Sequence, residues 1–243
     1  MIDKIFNEDC LEGMKRIEDG IIDFVLTDLP FGITSNDWDV KIDLTKFWEQ
    51  INRVTKWGGA MAFHCQQPFT SELIISNRKN FRYCWTWYKK QVSGFLNARK
   101  QPLRNCEDIA IFYRQQCTYN PIMRKGKLYA QISNSHTSNY GKFAPLLRKS
   151  DLYYPTTLLE VPLPRFKGGH PTQKPIKLLE YLIKTYTNEG ELVLDATIGS
   201  GSTAVAAINT NRHFIGFETE KKFYDIAKER IVKAQAEKAQ ALF

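Results

Sequence analysis

The chain has 243 residues, 43% of them hydrophobic, which suffices for one packed α/β domain with a smaller insertion, or two small domains sharing an interface, and excludes two large independent ones. No window approaches the roughly 18 consecutive apolar residues of a membrane span, and Met1 to Asp9 lacks the basic and apolar regions of a secretory signal, so a cytoplasmic protein without a membrane partner is expected. The net charge of +8 hides an asymmetry: residues 1–75 carry 7 basic and 13 acidic side chains, residues 76–150 carry 15 and 2, and residues 151–243 carry 12 and 11. The middle third should therefore generate a positive potential suited to a polyanion, although a solvated basic face would have the same composition.

Gly20 to Thr27 is an apolar run ending in Asp28-Leu29-Pro30-Phe31-Gly32, a strand followed by a sharp loop. Asp43 to Trp57 has apolar residues at Leu44, Phe47, Ile51 and Val54, the spacing of a helix, and Gly58-Gly59 is expected to end it before a strand at Ala60 to Cys65. A second helix is predicted over Phe69 to Ser76, and strands over Phe81 to Tyr88 and Asp108 to Tyr113, which are rich in aromatic and branched residues. From about Arg114 to Lys167 the periodicity fades and five prolines intervene, so an irregular insertion is expected. Alternation then resumes with a helix at Ile176 to Tyr186, a strand at Leu192 to Asp195, a helix after Gly201, a strand at His213 to Glu218 and a charged helix from Lys221. This order predicts an α/β fold, doubly wound around a mostly parallel Rossmann-like sheet. Its first part is residues 1–112, its insertion 113–167 and its second part 168–243.

Five widely spaced cysteines and four histidines form no metal-ligand spacing, so reduced thiols and no metal are expected. The stretch Leu192 to Ala207 reads as a buried strand, an acidic residue at its carboxyl end, a Gly-Ser-Gly turn and a small-residue helix start. A nucleotide-like ligand fits such a turn, with Glu218 at the end of the next strand placed for ribose hydroxyls. A dinucleotide, a phosphate and S-adenosylmethionine all stay open. The phosphate loop is weakened because no lysine follows Gly201, and the dinucleotide fingerprint because residue 204 is alanine. Asp195 suits a ligand carrying an ammonium and a sulfonium better than a pyrophosphate.

The loop after the first strand has its own chemistry. An aromatic amino group is a poor nucleophile because its lone pair is delocalised into the ring. A carboxylate and a carbonyl that both accept its hydrogens favour a tetrahedral nitrogen. Asp28 and the Leu29 carbonyl can do this, Pro30 biases Leu29 towards an extended conformation, and Phe31 offers a stacking face for a base taken out of the duplex. An ordinary strand-to-turn connection uses the same residue types.

These segments resemble the β class of DNA amino-methyltransferases, in which the catalytic loop precedes the cofactor loop. The resemblance runs through Asp9-Cys10-Leu11-Glu12, Asp28 to Phe31, Gly94-Phe95-Leu96-Asn97 with Pro102-Leu103-Arg104-Asn105, His170-Pro171-Thr172-Gln173-Lys174-Pro175, and Asp195 through Thr203. It implies S-adenosylmethionine as cofactor. Asp195, Ala196, Gly199, Gly201, Ser202 and Thr203 would lie along its methionine part, Glu218 at its ribose and Asp9 and Cys10 near its adenine. His170, Thr172, Lys174 and Pro175 would wrap it from the other side. Asp28, Leu29, Pro30 and Phe31 stand where the family commonly has Asp-Pro-Pro-Tyr, and Ala196-Thr197 where it commonly has Pro-Phe. An acidic first residue usually accompanies adenine N6 and serine cytosine N4, so Asp28 favours adenine.

Double-stranded DNA is the implied partner. Lys89, Lys90, Arg99, Lys100, Arg104, Arg124, Lys125 and Lys127 are candidate phosphate or base contacts, and Gln131, Asn134 and Asn139 candidate readers of adenine edges, with the target-recognition region at 113–167. A homodimer, a cognate restriction nuclease and solitary or phage-borne methylation are all compatible with the resemblance. The competing functions are cytosine-N4 methylation, methylation of RNA, protein or small molecules, and a DNA-binding relative with impaired catalysis.

Overall fold

The computed structural model describes residues 1–30, 42–132, 136–137, 141–142, 147–163 and 173–240. Chain contacts divide these into a larger unit, Met1–Asn120 with Thr157–Phe243, and a smaller one, Pro121–Thr156.

The larger unit is built on an eight-stranded sheet. Its strands are β1 (Lys4–Phe6), β2 (Ile22–Thr27), β3 (Thr55–Cys65), β4 (Phe81–Ser93), β5 (Arg104–Phe112), β10 (Leu158–Glu160), β11 (Leu192–Asp195) and β12 (His213–Phe217). Their spatial order is β1-β12-β11-β2-β3-β5-β4-β10. Every neighbouring pair is parallel except β3–β5 and β4–β5, so β5 alone runs against the rest. The expected mostly parallel, doubly wound α/β sheet is what forms.

Alternation along the strands sorts the core into two layers. Phe24, Leu26, Ala60, Ala62, Ile109, Ile111 and Val193 face one side, where α4 (Ile176–Tyr186), α5 (Ser202–Asn209) and α6 (Lys221–Gln240) cover them. Val25, Met61, Phe63, Ala110, Phe112 and Leu194 face the other, covered by α1 (Cys10–Met14), α2 (Leu44–Val54) and α3 (Phe69–Ser76). The helix after β2 thus lies on one face and the helix after β11 on the opposite face. Between these two adjacent parallel strands the winding reverses, which opens a crevice at their carboxyl ends.

Several boundaries differ from the sequence reading. α2 stops at Val54, and β3 begins at Thr55 and runs through Gly58-Gly59, so the glycines lie inside the strand rather than ending the helix. The Thr55 hydroxyl donates to the Ile51 carbonyl at 2.6 Å, closing the last turn while the chain leaves to pair with β2. β4 and β5 are longer than predicted and form a hairpin reaching Ser93 and Arg104. The short β1 and α1 carry too little periodicity to be read in advance.

The region 113–167 is not irregular throughout. Leu158–Glu160 pairs with β4 in the main sheet, and the compact smaller unit spans only Pro121–Thr156. Within that unit β6 (Arg124–Ile132) pairs antiparallel with β9 (Leu147–Tyr153), and the two-residue strands β7 (His136–Thr137) and β8 (Gly141–Lys142) pair with each other. The Tyr129 and Tyr153 rings meet at 4.9 Å. The β6–β9 ladder was illegible because Lys, Arg, Gln, Ser and Asp are scattered among its apolar residues, leaving no regular alternation to detect.

Candidate functional site

The crevice gathers the two loops singled out in the sequence. Asp28 follows β2 and Asp195 ends β11 on the neighbouring strand. Thr197 ties them together. Its hydroxyl lies 2.8 Å from the Thr27 hydroxyl and donates to the Asp28 carbonyl at 2.9 Å, while its N–H donates to an Asp195 carboxylate oxygen at 3.1 Å. Thr197 stands in one of the two segments where the chain departs from the commoner family sequence, and here its hydroxyl joins the two loops. Ala196 and Leu29 are buried in the core layer beneath.

Asp195 is 5% exposed, and burial pushes its carboxyl up to about 6. Hydrogen bonds from the Thr203 and Thr27 hydroxyls oppose that rise, and the charge of Asp28 adds to it. A buried carboxylate of this kind is stabilised by an arriving cation. Glu218 follows β12. One of its oxygens accepts the Gly199 N–H at 2.9 Å and the other accepts the Glu220 N–H at 2.9 Å, so its carboxylate is held in a fixed orientation. Burial raises its pKa against the pull of these amides. Cys10 is buried too, and its thiol is pushed up to about 12 by burial, then by Asp9, with Asp195 contributing. Because β1, which leads into α1, runs parallel to β12 and β11, the start of α1 lies at the same end of the sheet as Asp195.

A chain of charges that the sequence did not reveal lies beside Asp28. The Lys174 ammonium donates to the Asp28 carboxylate at 2.5 Å and stands 3.7 Å from Glu107. Glu107, on β5, also pairs with Lys89 of β4 at 2.9 Å. Burial lowers the Lys174 pKa, but the two carboxylates outweigh it and hold the group above the ordinary lysine value. His64, buried near the end of β3, is held well below the usual imidazole pKa by burial and then by Lys174, and packs edge-on against Trp87. The result is a cationic group locked against Asp28, with a neutral histidine beside it. Glu107 was missed because its partners, Lys89 on the neighbouring strand and Lys174, lie 18 and 67 positions away in sequence.

Several of the expected cofactor residues have partners within the chain. Asp9 caps α1, its carboxylate accepting the Leu11 and Glu12 N–H groups at 2.8 and 3.3 Å. The Ser202 hydroxyl accepts from Arg230 of α6 at 3.3 Å, a contact it shares with Ser200. Gly201 has φ +81°, and a Cβ there would lie 3.0 Å from Ala227, so close packing of α5 on α6 requires the glycine. Pro175 is buried and precedes the first turn of α4. Among the basic residues, Lys89 is buried in its ion pair with Glu107 and is withdrawn as a phosphate contact. Lys90 pairs with Glu160 at 3.2 Å. Arg99, Lys100 and Arg104 are exposed at the β4–β5 tip, and Arg124, Lys125 and Lys127 are exposed on β6 in the smaller unit. Phe31, Asn134, Asn139, His170 and Thr172 lie outside the described residues, as does the side chain of Gln131. Among the described residues no group of three metal-ligating side chains occurs and no helix is long and apolar enough to cross a membrane.

Comparison with known proteins agrees with this arrangement. Over 95% of its length the chain is 26% identical to the Type II methyltransferase M.HpaI of Haemophilus parainfluenzae, covering 74% of that protein. It is 25% identical to the Type II methyltransferase M.HindIII of Haemophilus influenzae, covering 95% of this chain and 96% of that one. In fold it matches M1.HpyAVI, solved as a complex with SAM, at a TM-score of 0.64, with 24% identity and 93% and 98% of the two chains covered. It matches the cytosine-N4-specific PvuII DNA methyltransferase at 0.67, with 16% identity and 97% and 92% covered. The DNA methylase family profile, N6_N4_Mtase, spans residues 22–229, which include the loops of both Asp28 and Asp195, and the chain belongs to that family.

Proposed function

We propose that this DNA methylase transfers a methyl group from S-adenosylmethionine to the exocyclic N6 of adenine in double-stranded DNA, with the base taken out of its stack. The observation that carries this reading is the abutment of Asp28 and Asp195 across the β2–β11 crevice, bridged by Thr197. The residues fit the cofactor. Asp195 is a buried carboxylate raised to about 6, which a ligand cation would stabilise, and Glu218 is oriented to accept from ribose hydroxyls. When bound, S-adenosylmethionine supplies an electrophilic methyl group.

The chain's own part is to prepare the nucleophile. Asp28 and the Leu29 carbonyl accept the two amino hydrogens and turn the nitrogen lone pair towards the donor, and Phe31 stacks on the base. Lys174 pairs with the Asp28 carboxylate and orients it for this task. The unit Pro121–Thr156, with Arg124, Lys125 and Lys127 exposed on β6, serves as the target-recognition region.

Incubation with methyl-labelled cofactor and unmethylated genomic DNA, followed by digestion to nucleosides and mass spectrometry, tests the reading. Labelled N6-methyladenine is the expected product. N4-methylcytosine would overturn the base assignment while leaving the fold and the donor site, and cofactor binding without any labelled DNA would point to RNA or to a non-catalytic relative.

A further inference from the structure

The motif Gly94-Phe95-Leu96-Asn97 with Pro102-Leu103-Arg104-Asn105 takes no part in the site described above. It forms the connection between β4 and β5, with Gly94 at φ +89° and a single 3-10 turn at Phe95–Asn97. Because β4 runs in the same direction as β2 and β11, this tip projects from the sheet edge that carries Asp28 and Asp195. The base of the hairpin is joined to the catalytic loop through the Lys89–Glu107 pair and through Lys174, which contacts both Glu107 and Asp28. From Lys89 the strand continues to Ser93, a reach of up to roughly 13 Å beyond the ion pairs.

The chemistry of the tip is unusual for a surface loop. Leu96 is 101% exposed, Phe95 65% and Val92 45%. Arg99, Lys100 and Arg104 are exposed around them, and residues 90–105 contain no carboxylate. Apolar side chains held together in water cost free energy and mark a contact surface. A cationic collar disfavours a second apolar protein face but matches duplex DNA, whose phosphates take the cations and whose base steps accept an apolar side chain between them.

We propose that the β4–β5 tip is a wedge, with Phe95 and Leu96 entering the base stack beside the target while Arg99, Lys100 and Arg104 hold the flanking phosphates. This rests on the reading of the chain as a methylase of double-stranded DNA. The wedge would meet part of the unstacking cost of extruding the base, so its contribution should vanish where the base is already unpaired.

The test compares F95A/L96A with the wild type in single-turnover methylation of two duplexes containing the sequence found methylated in genomic DNA. One is fully paired, and the other has an abasic site opposite the target base. The double variant should be about tenfold slower on the paired duplex and close to wild type on the abasic one, with an unchanged melting temperature and cofactor affinity. Equal loss on both duplexes, or no loss on the paired one, would overturn the wedge. A shift from dimer to monomer in sedimentation, with equal losses on both duplexes, would assign the tip to a second copy of the chain instead. If the wild type labels no DNA, the methylase reading fails first and the wedge falls with it, an outcome separable from failure of the variant alone.

Discussion

Asp28, proposed to accept the amino hydrogens, stands close to a second carboxylate, Asp195, at the end of a buried strand. Lys174 supplies the compensating charge, and Glu107 keeps Lys174 protonated in turn. Lys174→Met should lower kcat about tenfold at neutral pH, with the KM for cofactor little changed and Lys174→Arg largely restoring the rate. An unchanged kcat, or an equal loss in the arginine variant, would reduce Lys174 to packing. Asp28→Ala should cost roughly 10²–10³ in turnover while calorimetric cofactor binding survives, and undiminished turnover would remove Asp28 from the chemistry. The raised carboxyl of Asp195 has a pH consequence with a definite sign. A bound cation lowers its pKa, so cofactor affinity is fully developed above about 6 and weakens as pH falls through that value, by up to about tenfold per unit. Asp195→Asn should flatten the profile, and because the ionised carboxylate opposes folding in the free protein, the variant should melt no lower than wild type at pH 8. An affinity flat from pH 5 to 8 in the wild type would remove Asp195 from the cation site. At this scale the sequence showed which residue types were available, but not that Lys174 would face Asp28 across 146 positions or that Ser202 would turn to Arg230.

At the start of helix α5 the glycine-rich turn has a packing role beside the ligand role expected of it. In sequence the Gly-Ser-Gly turn suits a ligand, and in the fold the Gly199 N–H donates to Glu218. Gly201, with φ +81° and α6 backbone 3.0 Å from where its Cβ would lie, is required by helix packing. Gly201→Ala should therefore destabilise the fold by about 1–3 kcal/mol, seen as a lower melting temperature in the absence of ligand. An unchanged melting temperature with weakened cofactor binding would assign the glycine to ligand approach instead. Strands and helices with strong apolar periodicity, such as Phe69–Ser76, Ile176–Tyr186 and Leu192–Asp195, were legible residue for residue. The helix–strand junction at Val54-Thr55 was not, because it is set by pairing of Thr55–Cys65 with β2, and the two glycines that look like punctuation sit within that pairing.

Across the molecule, positive charge is divided between the β4–β5 tip of the larger unit and β6 of the smaller one. Replacing Arg124, Lys125 and Lys127 together by alanine should weaken duplex binding and reduce the slope of log K against log salt by roughly 0.9 for each phosphate no longer neutralised, as measured by anisotropy titrations. An unaltered slope would take the phosphates away from β6. Replacing Lys89 should leave that slope unchanged, because its charge is spent on Glu107 inside the protein. The sequence by itself determined the alternation of strands and helices, the Asp28 loop ahead of the Asp195 loop, and the basic middle third, because these depend on local periodicity, turn chemistry and composition. Only the tertiary structure decided which charges neutralise one another, that a polar stretch pairs into the β6–β9 ladder, and that Phe95 and Leu96 stand uncovered at the edge bearing Asp28. Those outcomes depend on which distant segments the sheet order brings together, and no local pattern encodes that.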